Sequence, residues 1–330
     1  MSSDLTRDNL QLSRHTNELC VSSPFQSLQS ASLECHTDVE RYVRHSISPN
    51  TRRAYIADLN HFEEWGGSVP ASPTVVASYL AAYACVLSVS TLVRRVASIS
   101  KAHEACGHLN PCRAEIVRAT LHGIKRTRGT AQHQAMPLLR EDLLLVLDSL
   151  GNGIKDVRDR ALLLLGFAGA FRRSELVGLD HADLQRVRQG LVVTLRFCKT
   201  DQRGAGRKIG IPNGRSRQCP VSALEAWLNL SSIQSGPVFR PVDRHRRIQE
   251  RRLSGEAVSL MVKERVAAVG IDPSRYSGHS LRAGFATSAA QAGVSTLKIK
   301  AQTGHATDAM LARYVRDGEL FLNNAAAALL

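Results

Sequence analysis

Three short patterns in this 330-residue chain hold residue types suited to a charged phosphorus centre. In AGAFRRSELVGL, Arg172 stands at a helix start behind a small-residue turn, with Ser174 and Glu175 just after it. In SGHSLRAGFAT, His279 and Arg282 are three apart and so share one helical face or its capping turn. His279 is the only one of the 12 histidines with an arginine at that spacing. In QTGHATDAMLARYV, His305 opens a helix and Tyr314 follows nine residues later, near its end. The chain has no G-x-x-x-x-G-K-[ST] loop, G-x-G-x-x-G fingerprint or H-E-x-x-H pair, and no carboxylate cluster suited to two-metal phosphoryl transfer. Phosphate chemistry would therefore have to manage charge with protein cations, and no cofactor is expected. Taken singly, each pattern has an ordinary explanation. An arginine at a helix start is usually a solvated charge, H-x-x-R is common by chance, and a tyrosine late in an amphipathic helix is more often core than nucleophile.

Their order along the chain is far more specific. R-x-S-E-L at 172–176, a lysine on a β-hairpin, H-x-x-R at 279–282, G-H at 304–305 and a tyrosine nine residues on together resemble the tyrosine recombinase, or phage integrase, family. The SPNTRRAY segment from Ser48 resembles that family's N-terminal core-binding domain, so the likeness spans about residues 40–318. The resemblance implies that Tyr314 is the nucleophile and that Arg172 and Arg282 bind the scissile phosphate. It implies that His279 and His305 assist as hydrogen-bonding or acid/base groups, that Lys199 is the general acid for the leaving 5′ oxygen, and that Glu175 supports the first arginine. Lys208 also lies in the hairpin; Lys199 is favoured because it leaves strand LVVTLRF at the start of the tip. Arg173 competes with Arg172, and Arg172 is the one that fits R-x-S-E-L.

The chemistry explains why such residues are needed. An attacked phosphodiester gathers negative charge on its equatorial oxygens, and guanidinium forks can donate paired hydrogen bonds to them while staying charged. Lysine would offer only a point charge. Tyrosine, with an ordinary pKa of about 10, needs an acceptor and a cationic field to become a useful nucleophile at neutral pH. The resemblance further implies a covalent 3′-phosphotyrosyl intermediate that stores the bond energy, so that neither ATP nor metal is required.

These groups must be held by two folded regions. Composition is globular, with 43% hydrophobic and 22% charged residues and a net charge of +14. Residues 1–40 hold two basic and six acidic residues and form an expected flexible, Ser-rich tail. Residues 41–134 hold 12 basic against five acidic residues, and 135–330 hold 29 against 18. Two basic halves point to one nucleic-acid polyanion, which charge alone does not resolve into DNA or RNA; the resemblance makes double-stranded DNA the expected partner. Residues 41–126 read as a helical core-binding, DNA-binding domain built on SPNTRRAYIADLNHFEEW, TVVASYLAAYACVL, STLVRRVASISKAHEA and RAEIVRATLHGIKRT. Arg52, Arg53, Arg94, Arg95, Lys101, Lys125 and Arg126 are its candidate DNA contacts. Residues 127–137 read as a linker.

Residues 138–318 read as the catalytic domain, with helices at 140–150, 157–168, 172–179, 221–230, 255–269, 281–292, 296–302 and 308–315. Strands at 191–197 and 208–212 form a hairpin with a long basic tip. The fold class is thus mainly α with a small antiparallel β-sheet: a helical domain followed by an α+β catalytic domain of tyrosine-recombinase type. Residues 319–330 form a C-terminal tail or helix that the resemblance suggests is exchanged between subunits of a homotetramer on two specific recombination sites. The acidic leader suggests an interface for an accessory protein. Seven dispersed cysteines without a C-x-x-C pair fit a reducing cytoplasm, and the absence of a long apolar run predicts no membrane association; a DNA-acting protein of this kind is expected in the bacterial cytoplasm, at the nucleoid. Integration, chromosome-dimer resolution and cointegrate resolution would all use this chemistry, with a mobile-element role favoured. The rival readings are a type IB topoisomerase and a non-catalytic DNA-binding regulator.

Overall fold

The computed structural model describes residues 41, 45–129, 135–196, 206–305, 307, 308, 311, 312 and 314. The chain divides into two compact units, Met1–His133 and Gln134–Leu330.

The described residues of the first unit include the helices α1 (Pro49–Glu64), α2 (Pro73–Ala82), α3 (Val89–Ala105) and α4 (Glu115–Arg128). Ser48, Ser72 and Ser88 each start a helix by accepting the backbone N–H three residues on, satisfying a donor the helix itself leaves unpaired. Leu59 and Phe62 of α1, Val76, Tyr79 and Leu80 of α2, and Leu92 and Ile99 of α3 form the dry centre. Helix α4 runs two residues into the stretch expected to be linker.

Charge enters this core at Asp58 and Arg95. Asp58 of α1, only 2% exposed, accepts from Arg94 Nε and Nη2 at 2.8 Å each and from Ser98 Oγ at 2.9 Å. Arg95 Nε lies 3.6 Å from the same carboxylate, and Arg95 Nη1 donates to Tyr79 Oη at 2.6 Å and lies 2.7 Å from His61 Nδ1. Burial pushes the Tyr79 hydroxyl up to about 12. Arg95 therefore corrects an expectation: at 7% exposure it is a structural charge inside the bundle, not a surface contact for DNA. A buried ion must be paired, and the facing carboxylate on α1 holds this one inward.

The second unit contains α5 (Arg140–Ser149), α6 (Ile154–Ala168), α7 (Arg173–Gly178), α8 (Pro220–Ser231), α9 (Gly255–Ala267), α10 (Ser280–Gln291) and α11 (Thr296–Thr303). A three-stranded antiparallel sheet, ordered β1 (Leu184–Val187), β2 (Gly190–Leu195), β3 (Arg207–Pro212), lies among them. Leu191 pairs with Ile211 and Val193 with Ile209, so the inward side chains of β2 and β3 line up. Strand β1 is absent from the sequence expectation; LQRV is short and presents two exposed polar side chains, which hides it. Buried Trp227 of α8 donates Nε1–H to the Val238 carbonyl at 2.8 Å, anchoring the core around α6 and α8. Helix α10 crosses so close to Leu138 that a Cβ on Gly284 would fall 1.8 Å from the Leu138 carbonyl oxygen. Leu138 N also donates to Ser280 O at 2.9 Å, which fixes the start of α10. The expected hairpin is present as β2 and β3; its tip, residues 197–205 with Lys199, lies outside the described residues, as do the leader and residues 315–330. Among the described residues no helix is long and apolar enough to cross a membrane.

Removing the Asp58 carboxylate strands the buried Arg95. Asp58→Ala is expected to cost about 3–5 kcal/mol in urea unfolding, whereas Arg53→Ala, on the exposed side of α1, should stay within about 0.5 kcal/mol.

Candidate active site

Helix α6 ends at Ala168, and the turn Gly169–Ala170, with Ala170 at φ 48°, swings the chain so that Arg172 becomes the N-cap of α7. Arg172 N donates to Glu175 Oε2 at 2.8 Å and Arg172 Nη1 to Glu175 Oε1 at 2.5 Å. The buried carboxylate thus fixes both the backbone and the guanidinium of Arg172, and Nη2 is left to donate to the Gly304 carbonyl at 3.1 Å. Arg282, in the first turn of α10, is 1% exposed. Its Nη1 donates to Ala170 O at 2.9 Å and Thr303 O at 2.5 Å, while its buried Nη2 has no hydrogen-bond partner. An unfilled buried guanidinium donor is costly unless a ligand completes it.

Helix α11 ends at Thr303, and its C-cap Gly304 adopts the left-handed conformation (φ 65°, ψ 41°) and turns the chain toward His305. His305 Nδ1 lies 2.9 Å from Thr303 Oγ1, and its ring stacks on Tyr314 with centroids 5.7 Å apart and planes 27° apart. On the other side, His279 Nε2 lies 2.8 Å from Tyr314 Oη. The phenol is thus held between two imidazoles.

The electrostatics set the protonation states. Burial, then the charges of Arg282 and Arg172, bring His305 down to about 4 and hold His279 below its ordinary value. Both rings are therefore neutral at pH 7, and a neutral His279 can accept from the tyrosine hydroxyl through an unprotonated Nε2. Arg282 is brought down to about 10 by burial and by Arg172, so it remains charged at neutral pH. The result is a cationic cradle with a free donor beside a hydroxyl that has a neutral acceptor.

The structure brings together six of the expected site residues: Arg172, Glu175, His279, Arg282, His305 and Tyr314. Lys199 lies outside the described residues. Lys208 is exposed on β3, and strand alternation puts it on the face opposite Ile209 and Ile211. Arg173 turns away, donating Nη1 to Ser259 Oγ of α9 at 2.8 Å. In the first unit Arg52 and Lys125 are partly exposed, and Arg53, Lys101 and Arg126 are exposed. Lys101 pairs with Glu104, and Arg94 with Asp58.

Sequence reasoning missed two groups. Arg207, on the inward face of β3, donates Nη1 to the carbonyls of Ala301 (3.1 Å) and Gln302 (3.2 Å). The signal was alternation with Ile209 and Ile211. Arg244, His245, Arg246 and Arg247 form an exposed turn whose shape Asp243 Oδ1 fixes by accepting from His245 N at 2.8 Å and Arg247 N at 2.9 Å. The run RHRR was its signal. Among the described residues no His, Cys, Asp and Glu cluster could hold a metal ion.

Comparison with known proteins shows the family. The phage integrase family model matches residues 138–319. An "Integrase/recombinase xerD homolog" of Selenomonas ruminantium is 39% identical over 296 residues, covering 87% of each chain. A tyrosine recombinase of Synechococcus elongatus is 29% identical over 266 residues, covering 74% of this chain and 77% of its own. Among solved structures, the fold is similar to XerH recombinase bound to palindromic difH substrate in a post-cleavage complex (TM-score 0.61, 18% identity, 84% of this chain and 79% of that one). It is also similar to a lambda integrase dimer bound to a COC′ core site (TM-score 0.58, 18% identity, 84% and 94%).

The left-handed Gly304 gives a local test. A Cβ there would fall 2.3 Å from Arg207 Nη1, whereas one on Gly270, also at positive φ, would meet nothing within 4 Å. Gly270→Ala should lose about 1–2 kcal/mol in urea unfolding from the backbone alone, and Gly304→Ala should lose measurably more.

Proposed function

The chain belongs to the phage integrase family of tyrosine recombinases, and from that premise we propose that it breaks and rejoins DNA at specific sites with Tyr314 as the nucleophile. The observation that carries this reading is the 2.8 Å contact between Tyr314 Oη and a neutral His279 Nε2. Tyr314 Oη attacks the scissile phosphorus, and its proton passes to His279. Arg172 and Arg282 hold the non-bridging oxygens, with the unfilled Arg282 Nη2 as one donor. As the new oxygen–phosphorus bond forms, the bond to the 5′ oxygen breaks, and Lys199 supplies the proton that makes it a hydroxyl. The product is a 3′-phosphotyrosyl bond. A 5′ hydroxyl from a partner strand reverses the step, returning the proton to Tyr314 and joining the new strand.

Because the phosphodiester energy is kept in the protein–DNA bond, the cycle needs neither ATP nor metal. His305 holds the phenol by stacking and stays neutral in the cationic field. Exchange requires two duplexes and four strand cuts, so the acting assembly is a homotetramer on two sites. The exposed cations Arg53, Lys101 and Arg126 and the partly exposed Arg52 and Lys125, together with the 244–247 turn, provide phosphate-backbone contacts. The stretch after α4 links a DNA-binding domain to a catalytic domain.

The test uses duplexes with randomised flanks and a central 5′-bridging phosphorothiolate, whose leaving thiol re-attacks poorly and so traps the adduct. The wild-type chain is expected to accumulate a covalent adduct at the 3′ end without nucleotide or divalent metal. Tyr314→Phe is expected to form none; an adduct from that variant would remove Tyr314 from the role.

The same sulfur separates the two lysines, because a thiolate leaves without general-acid help while an alkoxide does not. Lys199→Ala should lose about 100-fold or more in cleavage of the ordinary phosphodiester and regain near-wild-type cleavage of the phosphorothiolate. Lys208→Ala should cut both substrates normally. The reverse pattern would transfer the role to Lys208.

A further inference from the structure

The C-terminal turn of α11 is gripped from three directions. Arg207 of β3 takes the carbonyls of Ala301 and Gln302, Arg282 of α10 takes that of Thr303, and Arg172 takes that of Gly304. Four consecutive carbonyls at the negative end of a helix thus receive three guanidiniums. Two of those guanidiniums have roles in the proposed chemistry, and the third comes from a strand of the hairpin whose tip bears Lys199.

We propose that Arg207 is a positioning residue for strand cleavage: its guanidinium fixes the end of α11, and with it the seats of Arg172 and Arg282 and the turn that presents His305 to Tyr314. This rests on the reading of Tyr314 as nucleophile. The geometry leaves little slack. Gly304 packs directly against the Arg207 guanidinium, in the space a side chain at 304 would occupy. Gln302 Nε2 adds a strut, donating to Ala168 O at 2.8 Å and Gly210 O at 3.3 Å, which ties the same turn to α6 and again to β3. Losing Arg207 would leave two inward-facing carbonyls with one partner fewer and let the end of α11 drift. A displacement of about 1 Å in a reacting constellation can cost about 100-fold in rate.

Arg207 also acts through its charge. The groups facing His305 are Arg282, Arg172, His279, Arg207, Thr303 and Tyr314, and the four cationic or titratable neighbours Arg282, Arg172, His279 and Arg207 all disfavour its protonation. Neutralising Arg207 should therefore raise the pH at which His305 takes a proton, whereas Arg207→Lys, which keeps the charge but not the fork, should not. A helix-capping role in stability alone would move neither His305 nor the chemical step.

The experiment compares wild type, Arg207→Met and Arg207→Lys on a duplex recovered from the randomised pool. It measures single-turnover cleavage of the pre-bound duplex, single-site affinity and the NMR titration of His305 in the free protein. Arg207→Met is expected to bind within about twofold of wild type, to cleave about 100-fold more slowly, and to show His305 titrating at higher pH. Arg207→Lys is expected to cleave at an intermediate rate with His305 titrating as in wild type. Cleavage by Arg207→Met within about twofold of wild type, or slow cleavage with His305 unmoved, would overturn the proposal. Should Arg207→Met fail to fold, Arg207→Gln, which retains a donor but no charge, carries the same expectations. A wild-type chain that forms no adduct at all would instead defeat the reading of Tyr314.

Discussion

The site depends on three arginines sharing the end of one short helix. A buried guanidinium must have acceptors, and the usual acceptor is a carboxylate, which would also cancel its charge. Here Glu175 engages Arg172, but Arg282 is satisfied by the carbonyls of Ala170 and Thr303, and Arg207 donates to those of Ala301 and Gln302. Carbonyl groups satisfy the donors and leave the positive charge in place. A cluster of cations is thereby folded into the protein with its charge largely uncancelled, and the buried Arg282 Nη2 is left without a hydrogen-bond partner. The chain belongs to the phage integrase family, and the DNA phosphate proposed above as its substrate would give that donor a purpose.

The same field determines what the histidines can do. Beside two guanidiniums and largely out of water, an imidazole resists a second proton, so His279 and His305 stay neutral where an exposed histidine would be partly charged. Neutral rings can accept a proton, stack on a phenol and avoid adding repulsion near the guanidiniums. The fold achieves this with few parts: the turn after α6 sets Arg172, the first turn of α10 sets His279 and Arg282, and the left-handed Gly304 aims His305. Glycine at 304 supplies the backbone conformation and also the space that Arg207 fills.

Much of this was legible in the sequence because the site lies on helices and their caps, where spacing translates directly into geometry. His279 and Arg282 at i, i+3 announce a shared face, while Tyr314 nine residues beyond His305 was legible through the family likeness. The helices of both units follow from apolar periodicity and serine caps. Arg95 was misread for a physical reason. Positions 92, 95, 96 and 99 form one stripe of α3, and 55, 58, 59 and 62 one stripe of α1, so Arg95 and Asp58 sit on two buried faces. Two opposite charges on facing stripes are the signature of an internal ion pair, but each seen alone looks like a surface residue. Arg207 was hidden because a strand arginine in a basic hairpin looks solvated. Its alternation with Ile209 and Ile211, and that of Lys208 with Gly210, held the answer. Strand β1 offered four residues and no clear apolar pattern. Lys199 rests on the family likeness and its place in the hairpin alone.

The central claim is that the arginine cluster on α11 is a seat for the DNA phosphate that Tyr314 attacks. It is tested most directly by a crystal structure of the Tyr314→Phe chain bound to duplex carrying its recombination site. The account predicts a backbone phosphate with a non-bridging oxygen about 3 Å from Arg282 Nη2, a second oxygen on Arg172, and the phosphorus facing the ring of residue 314. A duplex bound with no phosphate at Arg282 Nη2, and with that donor still unfilled, would contradict it.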